Sequence, residues 1–277
     1  MFLNTDVSGY LDEYWADGIP ASSVKVREFE PNNHKYRDTV VQQYTPSFRA
    51  YMMEQKRRLV YPHVHHYHLS RLTREQEYNI IRAMCDRAVM YPDSLYSGLE
   101  YCMTIPSDMV ICRRQESGAF EIDLIHLVFN AMGWTAGVGF KKPFSYFHSD
   151  VTTAEGRHVL PRDDKFVEHF VNSGKIYERV GAFGFHHFRF GLKDDEWDVH
   201  PQFEMTDVMV RFERQVIVSL PEYDCFVFFI QPNWVDVREK PEMIANAVTS
   251  ASNDCYYRHF LDDHKDTLLH YLRGYIK

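Results

Sequence analysis

Two apolar runs separated by one turn dominate the hydrophobic pattern, and they lie within residues 208–234. In the first run, apolar residues recur at mostly every second position, which is the period of a β-strand with one buried face. Residues 220–224 break the pattern with a proline and polar residues, and residues 225–230 are then continuously apolar. The pattern predicts a β-hairpin whose second strand is buried on both faces and ends at Pro232.

Polar residues interrupt the first of these two strands, namely Arg211, Glu213, Arg214 and Gln215. Strand alternation predicts that Arg211, Glu213 and Gln215 share one face of the sheet and that Arg214 points to the other. On composition alone, such residues indicate a half-solvated strand with a cross-strand ion pair. The alternative is a polar cluster that lines a pocket, where a guanidinium and a carboxylate hold a charged ligand.

The rest of the chain mixes predicted helices with predicted strands. Thr73 and Gln76 form a capping box before a helix that runs to about residue 90, and Gly174 closes a helix over residues 163–173. The remaining predicted elements are a hairpin of strands 109–113 and 121–128, strands 176–180 and 183–190, and helices 239–250 and 254–271. Hairpins with helices interspersed indicate an α+β fold.

The chain has 277 residues, and no linker divides them. We therefore predict one domain over residues 105–277, preceded by an extension over residues 1–104 that packs on it. Within this extension, residues 1–60 are interpreted as an arm with short elements.

Charge and cysteine usage exclude several classes of protein. A net charge of −8 argues against nucleic-acid binding, and no apolar run approaches the roughly 18 residues of a membrane span. The first residues lack the basic and apolar regions of a signal peptide. Five scattered cysteines without a C-x-x-C pair argue against disulfides, zinc knuckles and iron–sulfur clusters, so we expect a cytoplasmic protein.

Histidines supply a second kind of candidate site. His63, His65, His66 and His68 lie within six residues, and an extended backbone would project them in two pairs for a non-haem metal ion. No carboxylate or cysteine adjoins them, which favours an exposed or partly packed loop. His126 lies in an apolar strand, as a core residue or as one that faces a cofactor.

Three motifs in the central hairpin carry a family resemblance. The order is RFERQ at residues 211–215, SLP at residues 219–221, and an aromatic strand that closes on PNW at residues 232–234. In order and spacing, this resembles the haem-dependent oxidative N-demethylase family. The resemblance extends from about Asp108 to the C-terminus, whereas the first hundred residues match nothing recognised.

The resemblance implies a PAS-like antiparallel sheet with flanking and C-terminal helices, which hold haem b between sheet and helices. It assigns the proximal iron ligand to His148 of the Phe147-His148 pair, although residues 149–151 lack the prolines that the family has there. Trp134 stands at a Gly-Trp corner that the family shares. We expect Trp134 and Arg214 to contact the cofactor, and Arg211 and Glu213 to contribute to catalysis.

The activity implied is oxidative N-demethylation of a small amine, with dioxygen as oxidant. The electrons must come from outside, because haem oxygenation consumes two of them. The sequence has no dinucleotide-binding glycine loop, since Gly137 and Gly139 are followed by Phe-Lys-Lys-Pro. We therefore expect a separate reductase as partner. Two alternatives stay open, a haem-binding PAS-like sensor without turnover and a non-haem metal enzyme that uses the cluster at residues 63–68.

Overall fold

We describe the fold from a computed structural model of the chain. The structure describes residues 27–28, 30–31, 40–41, 44–88, 90, 97–129, 136–144, 146, 164–186, 209–250 and 258–276. Within these ranges, side chains are described except at residues 27, 164, 166, 180–186, 209–212, 234–235, 247, 250 and 258–264. No described helix combines the length and the apolar character that crossing a bilayer requires.

The described strands form one antiparallel sheet of seven, in the order β1-β5-β6-β7-β3-β4-β2. Their bounds are β1 Arg27–Glu28, β2 His68–Ser70, β3 Asp108–Arg114, β4 Phe120–His126, β5 Ile176–His186, β6 Met209–Leu220 and β7 Cys225–Asp236. The mixture of this sheet with helices is an α+β fold, as the sequence predicts.

Helices cover both faces of the sheet. The described helices are α1 Pro46–Val60, α2 Val64–Tyr67, α3 Arg74–Arg87, α4 Gly98–Cys102, α5 Ala136–Gly139, α6 Asp164–Asn172, α7 Pro241–Ser250 and α8 Arg258–Arg273. Helices α3 and α4 share a hydrophobic cluster with one face, which we name the α3 face. Helices α5 and α6 share a second cluster with the opposite face, which we name the α6 face.

The central hairpin forms as predicted, but its second strand continues past the proline. Strand β7 runs to Asp236, so the expected end at Pro232 is wrong. The physical reason lies in the neighbouring strand, because β3 pairs with β7 only as far as Ile230. Beyond that point β7 pairs with β6 alone. Pro232 has no N–H to donate, but no strand lies on its other side to need that hydrogen bond, so the strand can continue through it.

Local signals also place the other predicted elements. Helix α3 begins with the predicted capping box, in which Thr73 accepts from the backbone of Gln76 and the Gln76 side chain accepts from the backbone of Thr73. Gly174 follows α6 at φ +66°, the left-handed conformation that ends a helix. Strand β5 is continuous from Ile176, with a register shift between Gly181 and Gly184 in place of the predicted break.

The N-terminal third contributes more regular structure than the sequence suggested. Helix α1 is 15 residues long, and Phe48, Met52 and Lys56 are buried along it. Strands β1 and β2 from the same third form the two outer strands of the described sheet. Residues on both sides of position 104 therefore share one sheet, while the division into two parts stays a prediction.

The two described threonine N-caps allow a matched test of helix capping. We expect Thr73→Ala to lower the free energy of unfolding by about 1 kcal/mol, because the α3 cap loses its side-chain hydrogen bond. Thr45→Ala is the control, since Thr45 precedes α1 without such a bond. Urea denaturation of both variants measures the difference, and equal losses would contradict the capping argument.

Candidate functional site

The polar residues of the RFERQ segment are buried rather than half-solvated. Glu213 and Gln215 are each 5% exposed, and Arg214 is fully buried. The interpretation of β6 as a half-solvated strand is therefore wrong, because helices cover both faces of this strand. Charges removed from water require partners, and the partners differ on the two faces.

On the α3 face, Arg214 forms a buried ion pair. Its Nε donates to Glu178 Oε1 at 2.7 Å, and both side chains are fully buried. Its Nη1 donates to the carbonyl of Val40 at 3.2 Å, and Gln231 donates to the same carbonyl at 2.9 Å. Arg214 therefore links β6 to β5 and, together with Gln231, binds the segment at Val40 against the sheet.

On the α6 face, a row of three polar side chains crosses from β6 to β5. Gln215 Nε2 donates to Glu213 Oε2 at 2.8 Å, and Arg179 Nε donates to the Gln215 Oε1 atom. The bond between Glu213 and Gln215 confirms that these two share a face, opposite to Arg214. Burial lowers the pKa of Arg179 to about 10, although the charge of Glu213 opposes that shift. We name Glu213, Gln215 and Arg179 the acid–amide–guanidinium row.

Aromatic rings form an apolar wall on the same face. Phe144 packs edge-to-face on Phe226 and Phe228, with centroid distances of 5.0 and 5.5 Å. Ile230, two residues after Phe228 on β7, lies opposite Gln215 of the row. A haem has a flat apolar ring and anionic propionates, so an aromatic wall beside a guanidinium fits its chemistry.

A buried acid and a buried base lie at the same end of the sheet. Asp108 accepts hydrogen bonds from the backbone of Val128 and Phe129, and burial raises its pKa to about 7. Lys56 donates to the carbonyls of Ile105 and Ser107, and burial lowers its pKa to about 8. The charge of Glu213 also raises the pKa of Asp108, so the row and this pair are electrostatically coupled.

The histidine-rich segment is helical, so the expected extended geometry is wrong. Residues Tyr61–His63 form a 3₁₀ turn and α2 follows directly, with the ring of Tyr67 buried. His63 and His65 are exposed, whereas His68 begins β2 and lies opposite His126 of β4. Only one histidine of this segment thus joins the described groups that could hold a metal ion.

That group consists of His68, Cys102 and His126. Their possible ligand atoms lie within 4.8 Å of one another, and the two imidazole rings are 5.4 Å apart between centroids. His126 is fully buried, and neither of its ring nitrogens has a hydrogen-bond partner among the described residues. An unsatisfied buried donor costs about 1–3 kcal/mol, so this position is not that of an ordinary core histidine.

Burial controls the protonation of the group. It lowers the pKa of His68 to about 4 and that of His126 well below its usual value, and the nearby Lys56 adds to both shifts. Burial raises the pKa of the Cys102 thiol to about 12. The imidazoles are therefore neutral, the form in which histidine binds metal ions.

The structure places some of the predicted site residues and leaves others open. His148 and Trp134 lie outside the described residues, and so does the side chain of Arg211, whose backbone pairs with that of Trp234. Their proposed roles therefore stay predictions. Glu213 and Arg214 are described, but they lie on opposite faces.

Sequence reasoning missed Arg179, Lys56, Asp108 and Cys102. Arg179 lies in a predicted strand, but its register against Gln215 is visible only in the paired sheet. Lys56 and Asp108 meet because α1 packs across the end of β3, and no local pattern announces such a contact. Cys102 reaches the histidines through the packing of α4, 34 residues beyond His68 in the chain.

A family model described as haem-dependent oxidative N-demethylase, alpha subunit-like, matches residues 24–256. The match covers most of the chain, and the protein therefore belongs to this haem-dependent family. The match begins well before Asp108, so it includes much of the N-terminal third, in which the sequence alone showed no resemblance. No curated protein matches the chain.

The buried ion pair gives a stability prediction. We expect Arg214→Met to lower the free energy of unfolding by about 3–5 kcal/mol, because Glu178 is left as an uncompensated buried charge. The double variant Arg214→Met/Glu178→Leu should recover much of this loss, since it removes both charges. Denaturant unfolding of the three proteins measures the coupling, and a double variant less stable than the single one would refute this account.

Proposed function

We propose that this protein is a haem-dependent oxygenase that removes an N-methyl group from a small amine. Membership of the family supports this proposal. The observation that carries it is the acid–amide–guanidinium row, in which Glu213 and Gln215 are buried, on the same face as the aromatic wall. The row offers a carboxylate for a cationic amine, and the buried aromatic residues give this face the apolar character that a flat cofactor requires.

The cofactor is proposed to be haem b, held between the α6 face and the chain that connects β4 to β5. The sheet is proposed to be PAS-like, and its antiparallel strands with α5 and α6 on this face support that proposal. His148 is the proposed proximal ligand and Trp134 a wall of the same pocket. Phe144 packs on the aromatic wall, and the four residues from there to His148 can span up to about 14 Å. The assignment of His148 itself rests on the resemblance of the Phe147-His148 pair to the family.

Cations on this face are proposed to hold the haem propionates. Among the described guanidinium groups, Arg179 is proposed for this role because it lies in the same row as Glu213. Arg211 has the same strand parity as Glu213 and keeps its predicted role at the site. Arg214 is a weaker candidate than the sequence suggested, since Glu178 already neutralises it on the opposite face.

Glu213 is proposed to bind the substrate. Its Oε2 accepts from Gln215, which fixes the orientation of the carboxylate, and a carboxylate is the charge type that pairs with a protonated amine. Ion pairing is stronger in this buried setting than in water, and it positions one N-methyl group toward the cofactor. When bound, the haem would supply the redox chemistry with dioxygen. The protein would supply the axial ligand of the iron, the polarity of the pocket and the orientation of the substrate.

The overall reaction requires two electrons and two protons from outside. One oxygen atom of dioxygen leaves in formaldehyde with the former methyl carbon, the other leaves in water, and the amine keeps a hydrogen in place of the methyl group. We propose that a separate reductase supplies the electrons. The need for two external electrons supports this proposal.

Haem ligation can be tested without any turnover. We expect purified wild-type protein to show a Soret band, and His148→Ala to lose most of its haem or to change its ferrous spectrum, because the iron loses its protein ligand. The exposed His65, as His65→Ala, is the matched control. Unchanged haem content and spectra in His148→Ala would place the ligand elsewhere, with His126 and His186 as the next variants.

Turnover tests the amine assignment. With dimethylamine as the probe, dioxygen, NADPH and an added ferredoxin-type reductase system, we expect stoichiometric formaldehyde. Glu213→Gln should raise the KM for the amine while haem content stays unchanged, because the variant removes the anionic partner. NADPH alone should give no sustained turnover. Haem binding without formaldehyde from any small methylamine would instead indicate a sensor, and loss of haem in Glu213→Gln would make Glu213 a structural residue.

A further inference from the structure

We propose that His68, Cys102 and His126 form a mononuclear metal site that is separate from the haem pocket and takes a zinc-class divalent cation. The proposal goes beyond the demethylase function and does not depend on it. The three residues lie on the α3 face, since His126 pairs with Met109 and both Met109 and Cys102 belong to the cluster of that face. The acid–amide–guanidinium row lies on the opposite face, so the sheet separates the two sites.

The geometry of the donor atoms suits a small ion. The three atoms lie within 4.8 Å of one another. A tetrahedral zinc ion, with bonds of about 2.0–2.3 Å, holds its ligand atoms roughly 3.3–3.7 Å apart. Side-chain movement can shorten the distances between the three ligand atoms by about 1 Å. His68 is the residue that can move, because it is only partly buried and lies on a three-residue outer strand.

His126 supplies an independent indication that a ligand belongs here. Its imidazole is fully buried, and both ring nitrogens lack partners among the described residues. The buried Nδ1 of His68 also lacks one there. Polar atoms in a protein interior normally have partners, so the unexplained ones deserve a specific explanation. A cation would take a lone pair from each ring.

The third ligand is held rigidly. Helix α4 carries Cys102, and its own capping box joins Ser97 to Glu100. Glu77 of α3 accepts from the backbone N–H of Gly98 at 2.7 Å. A Cβ at Gly98 would come within 2.6 Å of Leu124, so the glycine permits the close approach of α4 to β4. These contacts fix the N-terminal end of α4, a helix of five residues whose last residue is Cys102.

The charges around the group are mixed. Lys56 and Asp108 both interact electrostatically with Cys102, the first favouring the thiolate and the second opposing it. Metal binding displaces the thiol proton, and the thiolate with Asp108 then offsets most of the positive charge of the ion and Lys56. Two imidazoles and one thiolate select zinc-class ions over calcium or magnesium, which prefer oxygen ligands. The fourth position remains for water or another small ligand.

Cobalt is the probe for a test on the full-length protein. After dialysis against a chelator, we expect wild-type protein to bind one equivalent of Co²⁺ with visible bands of tetrahedral cobalt and a thiolate-to-cobalt charge-transfer band. Cys102→Ser should abolish the charge-transfer band. His68→Asn should weaken binding by more than the roughly 10- to 100-fold that loss of a second-shell partner costs. Zinc should displace the cobalt one for one.

Two matched controls test the assignment. Cys225 is as buried as Cys102 but lies opposite Arg113 at the far end of β3, so Cys225→Ser should keep the cobalt spectrum. His66→Asn, two residues from His68, should keep it as well. If Cys102→Ser does not fold, His68→Asn on the outer strand and the wild-type spectrum decide the question.

Several results would overturn the proposal. They are the absence of a charge-transfer band in wild-type protein, an unchanged cobalt affinity in His68→Asn, and loss of the band in Cys225→Ser. Loss of haem in His126→Ala would also refute it, because His126 would then be the haem ligand. The haem measurements on His148→Ala are independent, so failure of the metal site and failure of the demethylase assignment are distinguishable.

Discussion

The arrangement of both sites depends on the burial of one ion pair, Arg214 with Glu178. Both side chains are fully removed from water, and a buried charge without its partner is strongly destabilising. The pair therefore fixes the register of β6 against β5. A shift of one residue would exchange the two faces of β6, since side chains alternate along a strand. Glu213 therefore points to the α6 face because its neighbour Arg214 pairs with Glu178 on the opposite face.

Alternation allows one sheet to carry two kinds of chemistry without interference. The α6 face combines the aromatic wall with the acid–amide–guanidinium row, which suits a flat cofactor and a cationic substrate. The α3 face combines neutral imidazoles with a thiol, which suits a single ion. Between them, β3 and β7 supply a continuous layer of buried apolar residues. Asp108 at the start of β3 interacts electrostatically with both sites, with Glu213 of the row and with Cys102 of the metal group.

Sequence patterns correctly predicted the features that depend only on neighbouring residues in the chain. The capping box at Thr73 and the two-residue period of β6 need no tertiary information, and both were confirmed. The end of β7 was mispredicted because the tolerance of Pro232 depends on where β3 stops. The proximity of His68 and Cys102 was not predicted, because it arises from the packing of α4 on the sheet. The helical turn before His68 was not predicted either, because histidine has little backbone preference of its own. The sequence therefore predicted the residue types of the candidate site and the face of β6 on which Glu213 lies. It did not predict which residues contact them.

The outer strands of the described sheet have a consequence for how the chain can be divided. Strands β1 and β2 are two and three residues long, and both come from the N-terminal third. Short outer strands limit edge-to-edge aggregation, because they offer few unpaired backbone groups to another molecule. A chain that began at residue 105 would instead present the 11-residue β5 and the 7-residue β4 as open edges. The N-terminal third thus pairs residues 177–178 of β5 and residues 124–126 of β4, whose backbone a shortened chain would leave open to another molecule.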